Sequence, residues 1–319
     1  MTDRTYAFNW DLIGDFQAGR PNLGVQVNLS LYRLMQYAFH DVATKKLGTE
    51  GGNQILRDAG NLAGKFFFSH FLMEHKNLPI KEFIISLRSI LDSNGYRFCH
   101  LDFVDIARGE CALSVITGIE AVGTSGTKLN DCHYDVGFME GILFKYADKK
   151  FTATTVKINT DPKLFAKLDN KIHLVFYRML QYTIRDAAER KIGTEACNRL
   201  YYETGELAGT FFFDNFLAAF KAFPLHDFVR GLQRILKDLE VGILQVEKAD
   251  TEKGEFVLTV SEDLDCSGLP DLGIKVCNYD EGFIAKIFEK YTGTAFKAKE
   301  IDCWCSGDRT CRFAVNRTA

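Results

Sequence analysis

The sequence predicts an α+β fold built twice: two copies of a helical layer packed on an antiparallel sheet, in a pseudo-two-fold arrangement. Three observations carry this reading. The segment YRLMQYAFHDVATKKLGTE beginning at Tyr32 returns as YRMLQYTIRDAAERKIGTE beginning at Tyr177. Within each copy, apolar residues first recur at helical spacing and then alternate as in strands, and helices followed by a run of strands argue α+β. The chain has 319 residues, 46% of them hydrophobic and 27 of them Phe, a length that suits two domains and a composition that can fill two cores.

The offset of 145 holds without a gap over most of each copy. It pairs Gly60 and Gly64 with Gly205 and Gly209, and Phe66, Phe67 and Phe68 with Phe211, Phe212 and Phe213. It pairs Pro79 with Pro224, Phe83 with Phe228, Cys132 with Cys277, and Asp135 with Asp280. The boundary is placed in the linker INTDPKLFAKLDN, giving domains 1–158 and 159–319. In the first copy a helix is expected from about Val27 to Lys46, with a break at Gly48-Thr49-Glu50 and a second helix to about Met73. Pro79 suits the first turn of a third helix bearing Phe83, Leu87 and Leu91. RFCHLDFVDI and ECALSVITGI, joined by a turn containing Gly109, read as an antiparallel hairpin. A loop rich in Gly, Ser and Thr leads to a helix from about Cys132 to Ala147, and then to the strand FTATTVKI. The second copy repeats this order and adds a turn and one more strand, WCSGDRTCRFAVNR.

Composition removes several function classes. A net charge of −3, from 39 Lys+Arg and 42 Asp+Glu, does not provide the basic excess that nucleic-acid binding demands. Mean hydropathy is −0.10, and no apolar run approaches the roughly 20 residues of a membrane span. The opening MTDRTYAFNWDLIGDF has no signal-peptide pattern, and a cytoplasmic protein is expected. No GxGxxG, GxxxxGK[ST] or HExxH pattern occurs, so no catalytic residue is assigned and binding is favoured over catalysis. His40, His70 and His226 read as surface or helix-end residues, and Asp15 and Arg20 as part of a solvated N-terminal loop.

The chemistry concentrates in the extra segment. Nine cysteines in such a chain read as reduced core thiols or metal ligands, not as a disulfide framework. Cys303, Cys305 and Cys311 surround Ser306-Gly307-Asp308, Glu300 lies just upstream, and Cys277 opens the preceding helix. Sulfur-rich tetrahedral sites favour zinc and accept a carboxylate. By spacing alone, three semi-buried thiols at a strand turn remain an alternative, as does an iron–sulfur cluster on Cys277, Cys303, Cys305 and Cys311.

The run Cys277-x-Tyr279-Asp280-Glu281-Gly282-Phe283, then Glu300, Cys303, Gly307-Asp308 and Cys311-Arg312-Phe313, resembles the signature of the 4-vinyl reductase, or hydrocarbon-binding, domain family. The family includes the sensory modules of phenol-responsive activators, and its fold is related to that of TRAPP vesicle-tethering subunits. The resemblance implies a zinc ion held by Cys277, Glu300, Cys303 and Cys311, a closed set with a structural role. In the first copy Thr155 and Ile158 stand where Glu300 and Cys303 would be, and the position of Cys311 falls at Ala166. That copy is expected to be metal-free, with Cys132 a buried thiol.

The resemblance also implies a small hydrophobic, aromatic or tetrapyrrole-like ligand, with the protein acting as sensor or carrier. An accessory role or enzyme activity in tetrapyrrole vinyl-group reduction, and a scaffold for protein assembly, are the alternatives. Output through a protein partner, and a homodimer beyond the pseudo-dimer within one chain, fit the same reading. The ligand pocket is placed at Gly205, Gly209, Phe211, Phe212, Phe213 and Phe228, although a glycine pair four residues apart equally serves a close helix contact.

Overall fold

A computed structural model of the chain describes residues 7–116, 132–159 and 170–318. The Gly/Ser/Thr loop before Cys132 and Ala166 in the linker lie outside the described residues. The chain forms two compact units. Asn9–Asn28 and Tyr37–Val42 group with the residues from Thr194 onward, and the remainder up to Gly193 forms the first unit.

The first unit is founded on α1 (Leu29–Phe67), which is broken at Gly48, where φ of 77° and ψ of 162° suit only glycine. A π-helical turn, Phe68–Leu72, extends it. Pro79 then caps α2 (Ile80–Ser93), whose Phe83, Leu87 and Leu91 are buried at helical spacing. The expected hairpin follows as β1 (Cys99–Asp105) and β2 (Glu110–Ile116), paired antiparallel, with Gly109 at φ 71° closing the turn. Next come α3 (His133–Ala147) and β3 (Thr152–Asn159). The unit also takes in α4 (Leu174–Ile192), whose Phe176 lies 4.8 Å from Tyr96 and 5.5 Å from Phe67 between ring centroids.

Gly193, at φ 79° and ψ 165°, separates α4 from α5 (Thr194–Phe212) as Gly48 breaks α1. Another π-helical turn, Phe213–Leu217, leads to α6 (Leu225–Asp238). The second unit continues with β4 (Ile243–Asp250), β5 (Glu255–Ser261), α7 (Asn278–Thr292), β6 (Phe296–Asp302) and β7 (Cys311–Arg317).

The two sheets differ by one strand. The four-stranded sheet runs β4-β5-β7-β6 with every pair antiparallel, as expected. The three-stranded sheet runs β1-β2-β3, and its β2–β3 pair is parallel, which departs from the antiparallel expectation. The reason lies in the register. Across the larger sheet, Glu255 faces Asn316 of β7, and Asn316 faces Lys297 of β6. At the positions 145 residues earlier, Glu110 pairs directly with Thr152. Both flanking strands run antiparallel to β7 and hence parallel to each other. Where no β7 intervenes, the outer strand moves in by one strand spacing and keeps both register and direction.

Glycines set how closely the helices approach. A Cβ on Gly205 of α5 would stand 1.9 Å from the Tyr279 carbonyl oxygen of α7, and one on Gly282 of α7 would stand 1.9 Å from the Tyr202 carbonyl oxygen. Gly60 and Gly137 do the same for α1 and α3, at 2.0 and 2.1 Å from the facing carbonyl oxygens. Because the obstructing atoms are backbone, no rotamer change relieves the clash. Gly205→Val is therefore expected to destabilise the second unit by about 3 kcal/mol, read as a lowered urea midpoint. An unchanged midpoint would show that α5 and α7 can separate at no cost.

Charge is also buried in the first unit. Arg33 and Asp135 both have fully buried side chains and pair at 3.1 Å. The Tyr96 hydroxyl donates to Asp135 at 2.5 Å, and the Arg33 guanidinium lies 3.8 Å from the centre of the Phe98 ring. Among the described residues, no helix is long and apolar enough to cross a membrane.

Candidate metal centre and the adjoining cavities

Four elements of the second unit deliver thiols to one point. Cys277 is the residue before α7, Cys303 follows β6, Cys311 opens β7, and Cys266 lies in the loop after β5. All four are buried, and their Sγ atoms lie within 4.8 Å of one another. Cys277 Sγ is 3.8 Å from both Cys303 Sγ and Cys311 Sγ. A tetrahedron with metal–sulfur bonds of about 2.3 Å has edges of about 3.8 Å, so these three thiols fit a zinc-sized ion. Cys266 Sγ stands 2.9 Å from Cys311 Sγ, so that pair must open by about 0.9 Å to share the same ion.

Local chemistry shapes each arm. Between Cys303 and Cys311 the chain makes a 3₁₀ turn, Trp304–Ser306, ended by Gly307 at φ 94°. The Asp308 carboxylate accepts from the Cys303 N–H at 3.3 Å and from the Ser306 hydroxyl at 3.2 Å, fixing the turn. The Trp304 indole N–H donates to the Leu269 carbonyl at 2.8 Å, tying this turn to the Cys266 loop. In that loop the Asp263 carboxylate accepts from the N–H groups of Asp265 and Cys266, at 2.8 and 3.1 Å.

Electrostatics bind the thiols into one unit. Burial pushes the Cys266 and Cys277 thiols well above the ordinary range. The hydrogen bonds that Cys303 receives from Cys266, Cys277, Cys305 and Cys311 hold it far below that range. The thiols thus favour negative charge at Cys303 over the other three.

The sequence-derived ligand set meets this geometry unevenly. Cys277, Cys303 and Cys311 are brought together as expected. Glu300 lies alongside, with Oε2 accepting the Cys277 N–H at 3.3 Å, while Oε1 is buried with no hydrogen-bond partner among the described residues. Burial pushes its carboxyl up to about 9. Cys305 is buried within reach of the Cys266 and Cys303 thiols. Cys266 is the donor that sequence reasoning missed. Its signal was a repeated tripeptide, since Cys266-Ser267-Gly268 matches Cys305-Ser306-Gly307, and both glycines turn the chain at positive φ, 90° and 94°.

Asp15, Pro21 and Asn22 of the N-terminal loop are exposed, as expected, but Arg20 is not. Arg20 is 1% exposed, and its guanidinium donates to the carbonyls of Gly24, Glu240, Val241 and Glu262. Three of these four carbonyls come from distant parts of the chain, beyond the reach of sequence reasoning.

The expected pocket residues serve packing instead. Gly205 and Gly209 face the α7 backbone, with prospective Cβ atoms 1.9 Å from Tyr279 O and 2.7 Å from Phe283 O, which leaves no space for a ligand. Phe212 packs on Phe283 at 5.0 Å and Phe213 on Phe228 at 6.2 Å, while Phe228 stacks on Tyr291 at 4.0 Å. Phe211 is half-buried.

One cavity in each unit lies between helices and sheet, apart from larger, more polar clefts of the first unit around Asp58, Asn61 and Lys65. In the second unit a cavity of about 30 Å³ is lined by Leu232 and Leu236 of α6, Leu244 of β4, Leu258 and Val260 of β5, and Phe283, Ile284, Ile287 and Phe288 of α7. Asp263 and Asp280 also line it, and these two share a cluster with Cys277. The first unit has a cavity of about 90 Å³ at matching positions, with Leu87, Leu91, Cys99 and Met139 in place of Leu232, Leu236, Leu244 and Ile284. Its rim adds Arg88, His100 and Asp102.

Comparison with known proteins places the thiol-bearing segment. Residues 256–317 match the V4R domain. This match contains all four clustered cysteines together with β5, α7, β6 and β7. The uncharacterized protein MJ0150 of Methanocaldococcus jannaschii is 32% identical over 87 residues, 27% of this chain and 49% of that protein. The uncharacterized protein MJ1642 of the same organism is 24% identical over 149 residues, 47% of this chain and 80% of that one. The chain thus spans about half the length of the first relative. Among solved structures, the phenol-responsive sensory domain of the transcription activator PoxR, in complex with phenol, aligns with 42% of this chain and 71% of its own, at 12% identity and a TM-score of 0.35. A vinyl-4-reductase family protein from M. jannaschii aligns with 50% of this chain and 89% of its own, at 16% identity and a TM-score of 0.31.

Proposed function

We propose that this protein binds a small apolar molecule, and that its second half is held together by a structural zinc ion on Cys266, Cys277, Cys303 and Cys311. The chain is read as a duplication, 1–158 and 159–319, in which only the second copy carries the metal. The carrying observation is the buried thiol set with 3.8 Å spacings, set beside an apolar cavity through Asp263 and Asp280. Four protein donors close a zinc site to substrate, so the ion braces β6, β7 and α7 while the cavity does the binding. Glu300, named by the family resemblance, is then a neighbour that accepts the Cys277 N–H.

Both cavities are smaller than the roughly 150 Å³ void that accepts benzene in an engineered core. A ring-sized ligand therefore enters with a displacement of α6 or α2 from the sheet. The V4R match and the apolar lining of the second cavity support this reading.

Metal analysis of the purified protein is expected to give one zinc per chain and no colour. Iron with a visible chromophore, or two metals per chain, would replace this reading. For the cavity, Leu232→Phe fills the space beneath α6. It is expected to weaken binding of benzene-sized aromatic probes at least tenfold while leaving zinc content unchanged. Unaltered affinity in the folded variant would place the ligand elsewhere.

A further inference from the structure

We propose that residues 15–24 form a strap that positions Cys266, so that the N-terminal segment decides which fourth donor completes the metal centre. The inference rests on reading the thiol cluster as a metal site.

The strap grips the Cys266 loop at both ends. At its start, Arg20 donates to the Glu262 carbonyl, and through the same guanidinium to Glu240 at 2.5 Å and Val241 at 3.4 Å. This joins the α6–β4 connection to the loop after β5. The Glu262 carboxylate in turn accepts the N–H groups of Asn22 and Leu23, at 2.9 and 2.8 Å, and the Asn22 side-chain amide. Glu262 sits at φ 53°, a left-handed conformation that is strained for a non-glycine residue and needs such contacts to persist. At the loop's far end, the Asp15 N–H donates to the Gly268 carbonyl at 2.7 Å. Gly19 lies so close to Ser267 that a Cβ would stand 2.4 Å from its carbonyl carbon. Cys266 therefore sits between Glu262, four residues before it, and Ser267-Gly268, directly after it, which are held by a segment some 240 positions away.

The consequence is a choice of donor. Without the strap the loop keeps its internal Asp263 turn, the Leu264 N–H bond to the Val241 carbonyl at 2.8 Å and the Trp304–Leu269 hydrogen bond. It loses the contacts that fix Glu262, Ser267 and Gly268, and this turn can then shift as a body and carry Cys266 away from the other three thiols. The remaining candidate is Glu300, which is 1% exposed and keeps Oε1 without a partner among the described residues, beside Cys277. Strapped, the centre is four thiolates; unstrapped, it is three thiolates and a carboxylate.

The test uses the full chain loaded with Co²⁺, whose absorption reports sulfur against oxygen ligation. Arg20→Met is expected to shift the spectrum to that of Cys266→Ser and to speed iodoacetamide labelling of Cys266 in the metal-free protein at least tenfold. Arg20→Lys, whose ammonium can still reach the carbonyls, is expected to restore the wild-type spectrum. Asn22→Ala, a milder lesion, is expected to change both readouts in the same direction if Arg20→Met fails to fold. A folded Arg20→Met protein with wild-type spectrum and wild-type Cys266 protection would overturn the strap. A wild-type protein that binds no Co²⁺ would strike down the metal reading instead, leaving the labelling rates to judge the strap alone.

Discussion

Cys311→Ser is expected to abolish metal retention and to lower the melting temperature of the second unit by roughly 10–20 °C. The magnitude follows from the position of Cys311. It opens β7, which pairs with both β5 and β6, so releasing this end loosens two ladders together. Structural zinc contributes about 10–16 kcal/mol in small peptides. A unit with its own core recovers part of that loss, and about 5 kcal/mol translates into the stated shift at this size. The first unit shows why the loss need not be total: its β2 and β3 pair directly, with no strand between them. Cys132→Ser, in the first unit, is expected to leave metal content unchanged. Because thiols must shed protons to bind the ion, retention by the wild type is expected to fall as the pH is lowered. Zinc held by Cys311→Ser after dialysis against a chelator, or lost from Cys132→Ser, would contradict the assignment.

Much of this was legible in the sequence, for reasons that can be named residue by residue. The 145-residue repeat made each element visible twice, so Gly48 and Gly193 both marked helix breaks, and Pro79 and Pro224 both marked helix starts. Cys277, Cys303 and Cys311 were legible because the helix start and the strand turn that carry them are local features. Cys266 was marked only by the Cys-Ser-Gly tripeptide it shares with Cys305, because contacts from Arg20 and Trp304 place its loop beside the other thiols. Arg20 itself looked like a surface residue, as three of the carbonyls that accept from it lie some 220 to 240 positions away. The role of Gly205 and Gly209 was legible only as a choice between a helix contact and a ligand space. What decided it was the α7 backbone, at distances that no spacing rule contains. The parallel β2–β3 pair escaped for a similar reason: its direction follows from two strands pairing directly where β7 lies between their counterparts.

Arg33→Met is expected to destabilise the first unit by about 3–5 kcal/mol, because it strands a buried carboxylate rather than removing a favourable surface pair. Asp135 has a fully buried side chain, and Arg33 is the cation that compensates it, at 3.1 Å. Two neutral donors stay behind in the variant, the Tyr96 hydroxyl at 2.5 Å and the Gln36 amide at 3.4 Å. They solvate a charge but do not neutralise it. Methionine fills most of the volume against Phe98, which isolates the electrostatic loss from a packing loss. The double variant Arg33→Met with Asp135→Asn keeps the shape and removes the charge, and is expected to recover most of the lost stability. Urea unfolding of all three proteins at neutral pH measures each contribution. A deficit below about 1 kcal/mol at neutral pH, or a double variant no more stable than the single one, would mean that Asp135 draws its compensation from elsewhere in the fold.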